Sequence, residues 1–219
     1  MIDKIFIKIF FIIVIALFLL GMIVPMVLVN RKGMDPHSTH EEASLLTRLT
    51  SVSIMIWLIY VILYFIFDDY IKNFLMIEFF FQDLFVIIGM VLLIISLIFG
   101  TLGLIALGIN FRIEFPKEET QLITSGIYTV MRNPIVFGVF LILIGYFLVI
   151  PNFLNLFIAV VNIITFDSKA RDEEKFLLKT FGKEYEEYKK RVGRYLPFII
   201  RKTEFTKRNL LAIEGKKLK

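Results

Sequence analysis

Residues 122–138 read LITSGIYTVMRNPIVFG, and within this stretch the chain changes from polar to apolar sequence. The change falls at Arg132, Asn133 and Pro134. Proline is well tolerated in the first turn of a helix and asparagine is a good N-cap, so the sequence predicts a helix that begins at Pro134. Free backbone N–H groups and the positive end of the helix dipole at such a start favour an anion beside Arg132.

The same residues also have a purely structural interpretation. A basic anchor and a cap at a membrane boundary would explain Arg132 and Pro134 without any ligand. Gly126 and Gly138 lie within the stretch and permit tight backbone close to a ligand. From this stretch alone both interpretations stay open.

The composition points to a membrane protein. Of the 219 residues, 58% are hydrophobic, against roughly 45–50% in soluble domains, and they cluster in long runs. The chain has no cysteine, which excludes disulfides, thiolate catalysis and cysteine-based metal sites. Sixteen of the 25 Lys and Arg residues follow Asp167, and basic sequence attached to several spans favours anionic lipid headgroups over nucleic acid.

We expect an all-α integral membrane protein with about five transmembrane helices. A signal peptide is an alternative for the first run, but its apolar core is long for one. The last two runs are short and predict a helical hairpin, followed from Asp167 by a C-terminal helical segment. The predicted spans are residues 9–30, 49–67, 84–109, 135–150 and 152–166. We divide the chain into a transmembrane scaffold (1–109), a core with hairpin and cofactor-binding segments (110–200) and a basic tail (201–219).

The basic residues predict the orientation of these spans. Five spans place the residue 31–48 loop, the residue 110–132 segment and the tail on one side, with three, three and sixteen Lys or Arg, so the tail is predicted to be cytosolic. Lys4 and Lys8 argue weakly against this orientation. We expect no metal site, because His37 and His40 lie in a loop that is polar by default.

Small residues on the third span predict close helix packing, namely Ser96, Gly100, Gly103 and Gly108. The tail shows helical spacing of a carboxylate, apolar groups and two tyrosines at Glu174, Leu177, Leu178, Phe181, Tyr185 and Tyr188. Gly182 interrupts this pattern and predicts the end of one helix and the start of another. The Glu173-Glu174 pair is either a solvated first turn or, beside Arg132, part of a site for a ligand with both charges.

Two motifs carry a resemblance to a known family. Residues 124–134 read TSGIYTVMRNP, and residues 173–198 read EEKFLLKTFGKEYEEYKKRVGRYLPF. Together, in this order and separated by a hairpin, they resemble the isoprenylcysteine carboxyl methyltransferase family and its prokaryotic relatives, a group that includes phospholipid N-methyltransferases. The resemblance covers about Arg112 to Ile199, and no strand followed by a Rossmann Gly-rich turn is present.

The resemblance implies a multi-pass membrane methyltransferase that binds S-adenosyl-L-methionine. Its substrate would be an isoprenylcysteine-like or other lipidic acid; phospholipid amine N-methylation and a non-catalytic protein that keeps the fold are the alternatives. Lys169 falls where the family has a substrate-contacting arginine, with Arg171 nearby as a substitute. With the residues singled out above, the candidate cofactor-binding set is Thr120, Gln121, Leu122, Ile123, Gly126, Tyr128, Arg132, Asn133, Pro134, Ile135, Val136, Glu173, Glu174 and Tyr185.

The chain departs from the family pattern at three of these positions. The family usually has histidine where Thr120 stands, often histidine where Asn133 stands, and tyrosine where Val136 stands. We expect Arg132 to hold the cofactor carboxylate, Glu173 or Glu174 to hold its ribose or ammonium group, and Tyr128 to support the sulfonium charge. The expected partners are a lipidic or prenylated substrate and membrane lipids; the oligomeric state stays open.

Overall fold

The computed structural model describes residues 4–31, 45–67, 76–107 and 122–196. These residues form six α-helices and one short 3-10 helix, in agreement with the predicted all-α class. The helices are α1 (Lys4–Arg31), α2 (Leu45–Ile66), α3 (Gln82–Leu107), the 3-10 helix Gly126–Thr129, α4 (Pro134–Val149), α5 (Phe153–Phe181) and α6 (Lys183–Arg191).

Two helices, Gln82–Leu107 and Phe153–Phe181, are long and apolar enough to cross a membrane. Three shorter apolar stretches accompany them: Ile5–Gly21, Arg48–Tyr64 and Pro134–Val149. Large apolar side chains cover the outside of the bundle, with Ile105 70% and Phe157 67% exposed, as expected of a surface that faces lipid. The five-span count, the three-part division and the sidedness stay predictions.

The hairpin differs from the prediction in one respect. The helix that begins after Asn152 was expected to finish its apolar run at Phe166, with a separate segment from Asp167. Instead α5 continues without a break for 29 residues, from Phe153 to Phe181. Charged residues mark where a helix leaves an apolar environment, but Asp, Lys and Glu side chains do not interrupt its backbone hydrogen bonds. One continuous helix therefore carries the apolar hairpin and the Glu173-Glu174 pair.

Helices α3 and α4 pack with their backbones in close contact. A Cβ atom placed on Gly145 would lie 2.8 Å from the Gly89 carbonyl oxygen, and one on Gly89 would lie 2.7 Å from the Gly145 carbonyl oxygen. Farther along, a Cβ on Gly138 would lie 3.0 Å from the Ser96 carbonyl oxygen. Gly138 therefore serves helix packing, not the ligand approach that the sequence suggested. The packing face predicted for α3 is correct where it is described, and Gly108 lies outside the described residues.

Helix α5 is held against α2 by a buried polar contact in otherwise apolar surroundings. The Ser53 hydroxyl donates to Asn162 Oδ1 at 3.0 Å, and Asn162 Nδ2 donates back to the Ser53 carbonyl oxygen at 3.3 Å. Nearby, Tyr146 of α4 is fully buried, with its ring centroid 5.6 Å from that of Trp57 and 5.1 Å from that of Phe11. These contacts fix the helix that positions the two glutamates.

Candidate functional site

The two segments singled out in the sequence meet at Glu174. This carboxylate lies on α5, is 5% exposed, and receives three side chains from outside its own helix. Arg194 binds it through two hydrogen bonds, Nε to Oε1 and Nη2 to Oε2, each 2.9 Å long. Arg132 Nη2 and Asn133 Nδ2 each lie 3.3 Å from Oε1. The residue 122–138 stretch and the charged part of α5 therefore share one buried ion cluster.

Backbone hydrogen bonds hold the segment after α6 in place. The Arg132 N–H donates to the Gly193 carbonyl oxygen at 2.8 Å, and the Asn133 N–H donates to the Arg194 carbonyl oxygen at 3.0 Å. This short parallel pairing aligns the two arginines on Glu174. The Tyr188 hydroxyl also links α6 to the residue 122–138 stretch, because it donates to the Tyr128 carbonyl oxygen at 2.7 Å.

The start of α4 agrees in part with the prediction. The helix begins at Pro134 and Asn133 occupies the N-cap position, as expected, but the Asn133 side chain makes no capping hydrogen bond. Its amide donates to Glu174 instead. The prediction that this side chain caps the helix was therefore wrong, because a buried carboxylate competes for it. The first-turn N–H groups of α4 are left without that cap.

Arg132 carries the observation that most directly bears on a ligand. Its side chain is 7% exposed, and its Nε and Nη1 atoms have no hydrogen-bond partner within the described part of the chain. Buried guanidinium donors left unpaired are costly, and charge-assisted hydrogen bonds to an anion such as a carboxylate would satisfy them. The donor set therefore fits the carboxylate end of S-adenosyl-L-methionine.

The pKa values of Glu173 and Glu174 are shifted in opposite directions. Burial alone raises the pKa of the Glu174 carboxyl, but hydrogen bonds from Arg194 and the charges of Arg132 and Arg194 outweigh it and hold that pKa below its ordinary value. Glu173 is exposed by surface area. Protein atoms around its carboxyl nevertheless raise its pKa, and the nearby positive charge of Lys169 offsets only part of this increase. Glu174 is thus fully paired within the protein, whereas Glu173 is exposed and faces the charge of Lys169.

Two tyrosines of α6 lie close enough to Glu174 and Arg132 to feel their charges. Tyr185 and Tyr188 are buried, with ring centroids 6.0 Å apart, and pack with Val192, Leu122, Leu177 and Phe181. Burial raises the pKa of Tyr185, Tyr188 and Tyr128, so all three hydroxyls are neutral donors at physiological pH. Gly182 has φ +52° and separates α5 from α6, as predicted.

The two candidate substrate residues lie in different environments. Arg171 is exposed, and its Nε donates to Asp167 Oδ2 at 2.7 Å. Asp167 also accepts from the Tyr195 hydroxyl at 2.8 Å and lies 3.6 Å from Arg194 Nη1. Lys169 is half-buried and lies one helical turn before Glu173. The structure therefore pairs Arg171 with Asp167 in an outer ion pair, and the charge of Lys169 acts on Glu173.

The remaining candidate residues divide between described and undescribed parts of the chain. Leu122 and Ile123 are half-buried and lie outside the helices, Gly126 has φ +60°, and Ile135 and Val136 are half-buried in the first turn of α4. Thr120, Gln121, His37 and His40 lie outside the described residues.

Sequence reasoning missed Arg194, Asp167 and Tyr195 as members of the site. Arg194 follows α6 in an irregular segment and belongs to no periodic face, so its pairing with a residue 20 positions earlier has no local signal. The only hint in the sequence was that Arg194 follows Tyr185 and Tyr188 closely in the tail.

Comparison with known proteins gives the family. A family model described as phospholipid methyltransferase matches residues 84–184. A probable protein-S-isoprenylcysteine O-methyltransferase of Oryza sativa subsp. japonica is 33% identical over 117 residues, which cover 51% of this chain and 61% of that protein. The protein-S-isoprenylcysteine O-methyltransferases of Saccharomyces cerevisiae and Homo sapiens are 35% and 38% identical, over 52% and 42% of this chain and 49% and 34% of their own length.

The chain spans about half the length of the curated relatives it matches. The matched residues contain nearly all of α3, the 3-10 helix, the hairpin and the start of α6, and so include Arg132 and Glu174. This agrees with the resemblance carried by the two sequence motifs. The chain is therefore a distant homologue of the isoprenylcysteine carboxyl methyltransferase family over about half of its length.

Proposed function

We propose that this protein is an integral membrane methyltransferase that uses S-adenosyl-L-methionine to methylate the carboxylate of an isoprenylcysteine-like or other lipidic acid. The observation that carries the proposal is the buried Arg132 side chain, whose Nε and Nη1 lack partners in the described residues. Unpaired, positively charged donors beside the uncapped start of α4 suit an anion such as a carboxylate.

Each residue of the site has a separate role in this proposal. Arg132 binds the carboxylate of the cofactor, and Glu173 accepts hydrogen bonds from its ribose or ammonium group. Glu174 anchors the arginines and does not bind the cofactor itself, because its oxygens already accept from Arg194 and Asn133. When bound, the cofactor supplies an electrophilic methyl group on a sulfonium.

Methyl transfer to a carboxylate requires little from the protein beyond the positioning of methyl donor and acceptor. A carboxylate acceptor is already ionised near neutral pH and needs no general base. Holding donor and acceptor in line can then supply much of the rate. We assign orientation of the acidic substrate to Lys169, which lies one helical turn before the proposed cofactor ligand Glu173.

Phospholipid amine N-methylation is the second candidate, supported by the description of the matching family model. An amine acceptor must lose a proton, and Glu173, whose pKa is raised by crowding, is the available carboxyl. Labelled cofactor should be supplied to the full-length protein in lipid with a prenylcysteine analogue or with phosphatidylethanolamine. Label in a base-labile ester supports the first proposal, label in the phospholipid supports the second, and label in neither acceptor contradicts both.

A further inference from the structure

Arg194 has contacts that the proposed roles of Arg132 and Glu173 do not explain. It lies after α6, in the segment whose backbone pairs with Arg132 and Asn133. That pairing fixes its Cα, and its side chain reaches across to make both hydrogen bonds of a bidentate contact with Glu174. Such contacts are among the strongest that a carboxylate makes in proteins.

The two arginines share Glu174 unequally. Arg194 makes two contacts of 2.9 Å, whereas Arg132 approaches through Nη2 alone at 3.3 Å. Arg194 Nη1 also lies 3.6 Å from Asp167 Oδ1, so two carboxylates share the charge of Arg194, and the less fully balanced positive charge is that of Arg132. Arg132 is also the arginine that still has unpaired donors within the described residues.

We propose that Arg194 is a positioning residue that occupies Glu174 and thereby leaves Arg132 free to bind the carboxylate of the cofactor. Without Arg194, the buried Glu174 would draw the Arg132 guanidinium into the bidentate contact, where it competes with the ligand. This inference rests on the proposed function and adds to it the means by which the chain keeps Arg132 available.

The test compares two ligands that differ in the amino-acid part. S-adenosylhomocysteine carries the carboxylate, and 5′-methylthioadenosine keeps the nucleoside and the thioether but lacks it. Calorimetry on the full-length protein should show that Arg194→Ala weakens S-adenosylhomocysteine binding about tenfold, the scale of one charged hydrogen bond, and leaves 5′-methylthioadenosine binding unchanged.

Three further variants separate positioning from general damage. Glu174→Gln added to Arg194→Ala should restore most of the S-adenosylhomocysteine affinity, because the competing charge is gone. Arg194→Lys should fall between the wild type and Arg194→Ala, since an ammonium cannot make the bidentate contact. Arg191→Ala is the matched control, because Arg191 is an exposed arginine on α6 that contacts only the Glu187 carbonyl oxygen among the bonds described.

The outcomes distinguish this inference from the proposed function. A wild-type protein that binds neither ligand overturns both. A wild-type protein that binds S-adenosylhomocysteine while Arg194→Ala binds it equally well overturns the role of Arg194 alone. Equal weakening of both ligands by Arg194→Ala, with no restoration by Glu174→Gln, also overturns it and assigns Arg194 a purely structural role.

Discussion

At the scale of single residues, the site is an ion cluster built around one buried carboxylate. Glu174 is the buried centre, and Arg132, Arg194 and Asn133 all point to it. A buried carboxylate costs free energy unless it is paired, and its partners in turn become costly when it is removed. The cluster therefore couples the stability of the fold to the charge on a single group.

The Glu174→Gln variant tests this coupling through pH. Because the pKa of Glu174 is lowered in the folded protein, its stabilising contribution is complete above the unfolded pKa of about 4.3 and is lost as the pH falls through the lower folded value. We expect Glu174→Gln to lower the unfolding free energy by about 3 kcal/mol at pH 7 and to weaken the acid-induced decline.

Asp167→Asn provides the comparison. Burial alone would raise the pKa of Asp167, but the hydrogen bonds from Arg171 and Tyr195 outweigh burial and hold this pKa below its ordinary value. Because the Asp167 side chain is 24% exposed, its removal should cost less stability than the removal of Glu174. Thermal unfolding between pH 3 and pH 8 measures both variants. A Glu174→Gln protein as stable as the wild type at pH 7 would contradict the central place given to this carboxylate.

At the scale of elements, α5 links the hairpin to the site. Its 29 residues extend about 43 Å, longer than the ~30 Å of hydrocarbon in a bilayer. The part beyond the apolar run therefore projects from it while sharing its backbone. The Ser53–Asn162 contact and the α3–α4 glycine packing fix the hairpin and, through it, the position of Glu174.

Glycine substitutions test the packing of α3 on α4. Gly145→Ala places a Cβ 2.8 Å from the Gly89 carbonyl oxygen and 3.0 Å from Leu93 Cγ, so one helix must shift, and we expect the melting temperature to fall by about 5 °C. Gly100→Ala is the control, because an added Cβ there meets nothing within 4 Å. Equal melting temperatures for the two variants would count against this packing.

Local signals in the sequence were enough to predict several elements. Pro134 set the start of α4 and Gly182 set the break between α5 and α6, since both restrict the backbone locally. The charge at Asp167 indicates exposure to water and does not indicate the end of a helix. The continuity of α5 through this residue was therefore not predictable from the sequence. The Arg194 contact was also missed, because it depends on backbone pairing between segments about 60 residues apart.

At the scale of the whole molecule, the apolar bundle and the charged end of α5 and α6 form two distinct surfaces. The exposed side of α6 is charged, whereas the outside of α3 is mostly aliphatic. The exposed charged residues of α6 are Lys183, Glu184, Glu186, Glu187, Lys189, Lys190 and Arg191. Such a division suits a protein whose apolar part lies in lipid and whose site lies at the headgroups.

The absence of cysteine in the chain allows a direct test of sidedness. A cysteine placed at Lys190 should react with an impermeant maleimide only from the cytosolic side, and one placed at Lys72 only from the opposite side. Labelling in sealed vesicles of known orientation measures this. Reaction of both positions from the same side would contradict the five-span arrangement.

The central claim is that two distant segments of the chain share one charged nucleoside ligand. Titration of the full-length protein with S-adenosylhomocysteine in a calorimeter tests it most directly. We expect saturable binding by the wild type, and a loss of more than about tenfold in affinity for both Arg132→Ala and Glu173→Gln. Undiminished binding by either variant, or no binding by the wild type, would contradict the account.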